Sequence, residues 1–340
     1  MIKRLLVTLL AFSVSLNAAS RSEHLLTNPD SWFRSDEGLK ALNCILSWQS
    51  DNGDWPKNKD TTSEAYSGVR SKLTGTFDNG ATTGELRVLA RAFRVTDDPR
   101  FKKAFQAGFD HILKSQYPNG GFPQYFPLSK KYHRHITFND SSMIRLMEFL
   151  GQTASSEDFA FLDQDRRMAA KKAFDRGIDC ILKCQVIVND TPTVWCAQHD
   201  EITLAPAKAR SYELASLSGA ESAGILIFLM SLDEPTPEVS RAVAVGLAWF
   251  ESSKIEGFRY KKSDSEVALT KDPNAPPLWA RFYELKSNRP FFCDRDGVPK
   301  YDIEEIGDER RRGYSWYSTS GTKVAKAYAG WPHREPSLKK

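Results

Sequence analysis

A helix ending in Trp48-Gln49 runs into Asn52-Gly53-Asp54-Trp55-Pro56, and a second ending in Ser115-Gln116 runs into Asn119-Gly120-Gly121-Phe122-Pro123. The two copies have the same internal spacing. Cys184-Gln185 follows after nearly the same interval and opens a longer loop carrying Trp195 and Gln198. Glu251, one such interval further on, ends a fourth helix before Ile255-Glu256-Gly257. In the first two copies Asn-Gly demands a positive φ, and the proline then stops a helix from restarting.

Apolar residues between these turns keep a helical period. Phe101, Phe105, Phe109, Ile112 and Leu113 form one stripe, and Phe174, Ile178, Ile181 and Leu182 another. Leu86, Leu89 and Phe93 mark a third, and Met143, Met147 and Leu150 a fourth. Spacings of three and four put each set on one helix face. Further helices are expected around 36–48, 219–231 and 239–252, and strands should be few and short. The interval between copies holds two helices and two loops, and each pair must bury its stripes on its neighbours. Long loops recurring at the same helix end favour a ring with those loops on one face. The expected fold is all-α, an α/α toroid of roughly three helix pairs, with a solenoid or bundle as the alternative. From about 258 to 318 periodicity is lost, and this segment is expected to run irregularly across the loop face.

Residues 1–20 have the layout of a secretory signal peptide: Lys3 and Arg4, then an apolar run from Leu5 to Leu16, then Ala18, Ala19 and Ser20. That run is shorter than the ~20 residues of a membrane span. The mature chain, 21–340, is expected to be one catalytic domain, secreted or periplasmic, with no membrane attachment. The formal charge of +4 rests on 47 basic and 43 acidic residues, a near balance that argues against nucleic acid as partner. Cys44, Cys180, Cys184, Cys196 and Cys293 fit no zinc spacing and read mainly as core residues, with room for one bridge.

Two related segments precede helices: Thr76-Phe77-Asp78-Asn79 and Thr137-Phe138-Asn139-Asp140. Taken singly, their acids and amides are good helix caps. Taken as a pair in one repeat, they would converge on one face of a ring and offer hard oxygens to Ca²⁺. Downstream, Arg281, Arg289, Arg295 and Arg310 to Arg312 stand among Trp279, Phe282, Tyr283, Tyr314, Trp316 and Tyr317. Guanidinium forks match carboxylates and aromatic rings stack on sugars, so this set suits an acidic glycan. Surface pairing with Asp294, Asp296, Glu304, Glu305 and Glu309 is the plainer account of the same arginines. Asp294–Gly297 lacks the pattern of an EF-hand loop, and Asp51–Asp54 reads as a turn. His199 with Asp200 and Glu201 reads as a surface loop, with metal or substrate binding as the alternative.

Over residues 30–331 the chain resembles the family 10 polysaccharide lyases, which are pectate lyases. The resemblance rests on Gly75–Thr82, Asn119–Gln124, Ile136–Asp140, Trp279–Leu285, Arg295–Gly297 and Glu309–Tyr317. It implies an α/α toroid and calcium-dependent β-elimination of α-1,4-polygalacturonate. It also implies roles: Asp78 and Asp140 as calcium ligands with Asn79 beside them, Arg295 as the catalytic base, and Arg281, Arg310 and Arg210 as holders of substrate carboxylates. Arg281 and Arg289 are the neighbouring candidates for the base. A monomer is expected. The alternatives are a glycoside hydrolase on the same toroid, using Asp78 and Asp140 as its two carboxyl groups, or a non-catalytic binder of acidic glycans.

Overall fold

In the computed structural model, which describes residues 21–263 and 267–334, helices dominate. The proposed signal segment, 1–20, lies outside the described residues. After α1 (Asp30–Phe33) and α2 (Asp36–Ser47), three antiparallel pairs follow in chain order. They are α3 (Thr83–Thr96) with α4 (Pro99–Ser115), α5 (Ser142–Ser155) with α6 (Gln164–Lys183), and α7 (Gly219–Met230) with α8 (Pro237–Ser252). Caps set several starts. Asp98 accepts from Arg100 N at 2.9 Å with Pro99 as first helical residue, and Asp163 accepts from Arg166 N at 2.8 Å.

Three of the expected stripes are largely buried, while in the remaining one only Ile181 is, with Phe174, Ile178 and Leu182 half-buried. Phe101, Phe105, Phe109, Met143, Met147 and Leu150 are fully enclosed. Helices α3, α5 and α7 touch one another in sequence and are the more deeply buried set, while α4, α6 and α8 form an outer row against them. This is a mainly helical toroid with three helix pairs. Short helices α9 (Asp308–Gly313) and α10 (Ser320–Ala329) complete the chain, and α10 packs on α7 and α8.

The repeat has a physical cause in three glutamines. The Gln49 amide donates to Gly53 O in its own turn and to Ala104 O in α4, at 2.9 and 2.8 Å. Gln116 bridges Gly120 O and Ala173 O in α6 at the same distances. Gln185 bridges Thr193 O and Ala242 O in α8. Each glutamine thus ties a loop to the next outer helix. The turn glycines complete the joint. Gly120 has φ +92°, and a Cβ there would lie 1.9 Å from Arg176 O; Gly53, at φ +97°, sits in the same way against Ala107 O. Gly120→Ala is therefore expected to lower stability by at least ~2 kcal/mol, read from the urea midpoint.

The long tail differs from expectation. Between 258 and 318 the described residues hold short paired strands among irregular stretches. Phe258–Lys262 pairs with Val267–Lys271 as a hairpin. Leu217–Ser218, Phe282–Tyr283, Pro290–Cys293 and Pro299–Lys300 form a four-stranded antiparallel sheet. These strands are two to five residues long, too short for a sustained alternation to emerge in the sequence. The cysteines also differ: all five are buried free thiols, so the bridge allowed for does not form. No helix among the described residues is long and apolar enough to cross a membrane.

Candidate active site

The loops between helices meet in a strict pattern. Thr76, Thr137 and Ser218 each donate their N–H to the carbonyl of an aromatic residue: Trp55, Phe122 and Trp195. Phe77, Phe138 and Gly219 then donate to Gln124, Ala197 and Arg281, each two residues beyond the aromatic of the next copy. Every segment is thus clamped between its own loop and the following one, and what comes after it is carried to a common place.

There the backbone turns sharply. Asn79 (φ 54°, ψ 31°) and Asp140 (φ 51°, ψ 29°) take the same left-handed conformation. Asp78 and Asn139, just before them, are buried. Neither carboxylate caps a helix: the residue before α3 is Thr82 and the one before α5 is Ser141. The capping account therefore does not hold at either helix. Asp78 Oδ2 accepts from Gln124 Nε2 at 2.6 Å and is paired with Lys57 Nζ. Asp78 Oδ1 is buried and has no hydrogen-bond partner. Asp140 opens to solvent and accepts from Asn139 Nδ2 at 2.7 Å. Its carboxyl is pushed above the usual range by desolvation, then by the charges of Glu221 and Asp78, with Arg281 opposing. The turn Asp78–Gly80 packs on the turn Asn139–Ser141, and α7, which carries Glu221, packs on that second turn. Asn79 lies at the margin, with its amide toward Asn58 Oδ1 at 3.3 Å.

Glu221 is the residue that sequence reasoning missed. It takes a bond from Ser218 Oγ and a 3.0 Å ion pair from Arg281, with both side chains largely buried. Its signal was present: it is the one acid in the apolar run Gly219–Met230, and a charge buried in such a helix needs a local reason.

The predicted arginines gather on two tyrosines. Arg281 bonds Asn139 Oδ1 at 3.1 Å and lies 4.4 Å over the Tyr314 ring. Arg210, Arg295 and Arg310 all face Tyr212, at 5.0, 5.7 and 4.5 Å, and Tyr212 meets Tyr314 edge-on at 5.6 Å. Burial acts to lower the Arg281 pKa, but Glu221, Tyr314, Asp140 and Glu213 outweigh it and hold the guanidinium charged. Arg210 is held charged by Glu213, whose Oε1 also accepts from the Tyr314 hydroxyl at 2.6 Å. Arg295 and Arg310 share Glu309. Arg289 stands apart from this group, stacked 3.6 Å over Tyr301. Nearby, the His133 ring meets Tyr125 and Tyr132 at 5.0 and 4.0 Å, and the charges of both Arg210 and Lys57 reach Tyr132.

His199 does not join a surface loop. It is buried, its Nε2 accepts from Cys196 N at 3.1 Å, and its Nδ1 faces Leu204 O at 2.8 Å. Protonation of Nε2 would set one N–H against another, and burial already pushes the pKa down to about 4. The unfolded value of 6.5 is higher, so the unfolded chain binds more protons between the two. Stability from this site is complete above pH 6.5 and falls by up to about 3 kcal/mol as pH drops towards 4. Urea unfolding between pH 4.5 and 6 should show this, and His199→Gln should reduce the pH slope by about one proton.

His135, Asp200 and Glu201 approach within 4.8 Å of one another, as a metal site would require. Both Glu201 oxygens are already engaged, by Arg134 and His135, and Asp200 Oδ1 accepts from Ile202 N and Thr203 N. Among the described residues, the buried carboxylate oxygen that lacks a hydrogen-bond partner is at Asp78.

The Pectic acid lyase family model matches residues 49–325. A family 10 polysaccharide lyase from Cellvibrio cellulosa is similar in structure, with a TM-score of 0.81 at 36% identity over 94% of this chain and 98% of that one. A mutant of a family 10 polysaccharide lyase from the same organism, solved in complex with trigalacturonic acid, matches with the same score and identity over 91% and 99%. Among curated proteins none matches.

Proposed function

The chain belongs to the pectic acid lyases, and from that premise we propose that it cleaves α-1,4-polygalacturonate by calcium-dependent β-elimination, releasing 4,5-unsaturated oligogalacturonides. The observation that carries the calcium reading is the buried, unpartnered Oδ1 of Asp78 beside Asp140 and Glu221. Such a cluster of hard oxygens fits Ca²⁺ better than a softer ion. Asp78 and Asp140 would hold the ion, with Asn79 at the edge. When bound, the ion would neutralise a uronate carboxylate and so make the adjacent C5–H more acidic. The similar lyase solved with trigalacturonic acid supports polygalacturonate as the substrate.

Arg281 is charged and fixed by Glu221 and Asn139, which suits a carboxylate holder rather than a base. Arg210 and Arg310, across Tyr212, would take neighbouring carboxylates of the chain. Arg295 would take the C5 proton. The C5–H electrons form the C4–C5 double bond, the bond from C4 to the glycosidic oxygen breaks, and that oxygen takes a proton. Among these arginines Arg295 has the most exposed side chain, so it can leave Glu309 as substrate enters. Its pairing with Glu309 holds its pKa up, so its neutral fraction grows only with alkalinity.

The test is an ultraviolet absorbance assay on polygalacturonate with calcium or EDTA, from pH 6 to 11. Absorbance from the unsaturated uronate should appear only with calcium and rise towards alkaline pH. New reducing ends without absorbance would mean hydrolysis and overturn the reading. Arg295→Lys and Arg210→Lys, assayed in parallel, test the base: full loss should fall on Arg295→Lys. We also propose that residues 1–20 are removed on export and that 21–340 act as a secreted monomeric domain. Amino-terminal sequencing and light scattering of the exported protein check both.

A further inference from the structure

Lys57 stands two residues after Trp55, the place that Gln124 fills after Phe122 and Arg281 after Trp279. All three reach the carboxylate cluster. Gln124 and Lys57 both serve Asp78 Oδ2, and Arg281 serves Asn139 and Glu221. Lys57 differs from the other two in exposure. Its side chain is 30% exposed against 12% for Arg281, while Gln124 is buried, and it lies on an unbranched stem beside Tyr125 and Tyr132. It is also a full cation set on the carboxylate whose other oxygen, Oδ1, is buried without a partner. A divalent ion that took up Oδ1 would bring two like charges close together across one carboxylate.

We propose that Lys57 and Ca²⁺ compete for the Asp78 carboxylate: the ammonium neutralises Asp78 in the metal-free protein, and metal binding turns it out to the Tyr125–Tyr132 wall, where it takes a uronate carboxylate. The proposal rests on Asp78 being a calcium ligand. It explains why the position holds lysine. A buried charge is kept neutralised before metal arrives, and the displaced ammonium then joins Arg210 near Tyr132, so that an acidic chain is met by two cations there.

Calcium is titrated calorimetrically, without substrate, into the wild-type chain and into Lys57→Met, Lys57→Arg and Asp78→Asn. Loss of the competing charge should tighten calcium binding by Lys57→Met by about tenfold or more. Lys57→Arg, which keeps the charge, should stay near wild type and controls for packing. Asp78→Asn should lose the site. If Asp78→Asn binds calcium as the wild type does, Asp78 is no ligand and the underlying reading falls. If Asp78→Asn loses calcium while Lys57→Met binds it equally or more weakly, the competition falls alone. In saturating calcium, Lys57→Met should raise KM for polygalacturonate several-fold with kcat less affected, and an unchanged KM overturns the substrate contact.

Discussion

Asp78→Asn is expected to lower kcat/KM on polygalacturonate by about 10²- to 10³-fold at saturating calcium, the scale of losing one preorganised electrostatic group. Asparagine keeps the volume and removes the charge. It also sets an amide against Gln124 and Lys57, which already donate to that carboxylate. Folding should survive, because the residue lost is an acid with an unpaired buried oxygen rather than a packed apolar group. Initial rates of absorbance increase, with a melting curve of the same sample, read both effects. A loss smaller than tenfold in a folded variant would show that Asp78 is not needed for the ion.

The second large effect is expected at Glu221. Glu221→Ala leaves the Arg281 guanidinium buried without its carboxylate, and breaking one side of a buried pair costs about 3–5 kcal/mol. In a chain of this size that is about 4–7 °C in Tm. Arg281 would also lose the contact that aims it, so KM should rise well beyond what the stability change explains. Glu221→Gln keeps an acceptor for Arg281 and should lose less on both counts. In the double variant Glu221→Ala/Arg281→Ala the stability cost should be smaller than the sum of the single costs, since no charge is stranded. Additive costs would mean that the pair is not coupled.

Sequence and structure part company over Asp78 and Asp140. Alignment of the two segments sets Asp78 beside Asn139 and Asn79 beside Asp140, so the two acids hold different places in the repeat. They meet because the first segment contributes its buried residue and the second its left-handed one. Glu221 answers to Asp140 in the third copy, two residues beyond Gly219 as Asp140 is beyond Phe138. Its segment lies further from the second than the second does from the first, since the loop through Trp195 is longer. A search at one fixed interval passes over it. Lys57 and Gln124 were visible in the repeat, but nothing in their letters says that both point at Asp78.

Much could be read without coordinates because helices are local. Stripes of phenylalanine and methionine, proline starts and Asn-Gly stops act over a few residues, and the joint glutamine recurs in three copies, with its glycine in the first two, because each copy must solve the same packing problem. Those signals settle the three helix pairs and put the loops at one end. The strands of 258–318 are held by partners far along the chain, so short aromatic runs there carried no period of their own. The site is of that second kind. Which carboxylates face one another, which arginine is buried and charged, and which lysine touches Asp78 depend on angles between loops from different copies. Those angles are set by non-local hydrogen bonds such as Phe77 to Gln124 and Gly219 to Arg281, and only the closed arrangement of the toroid determines them.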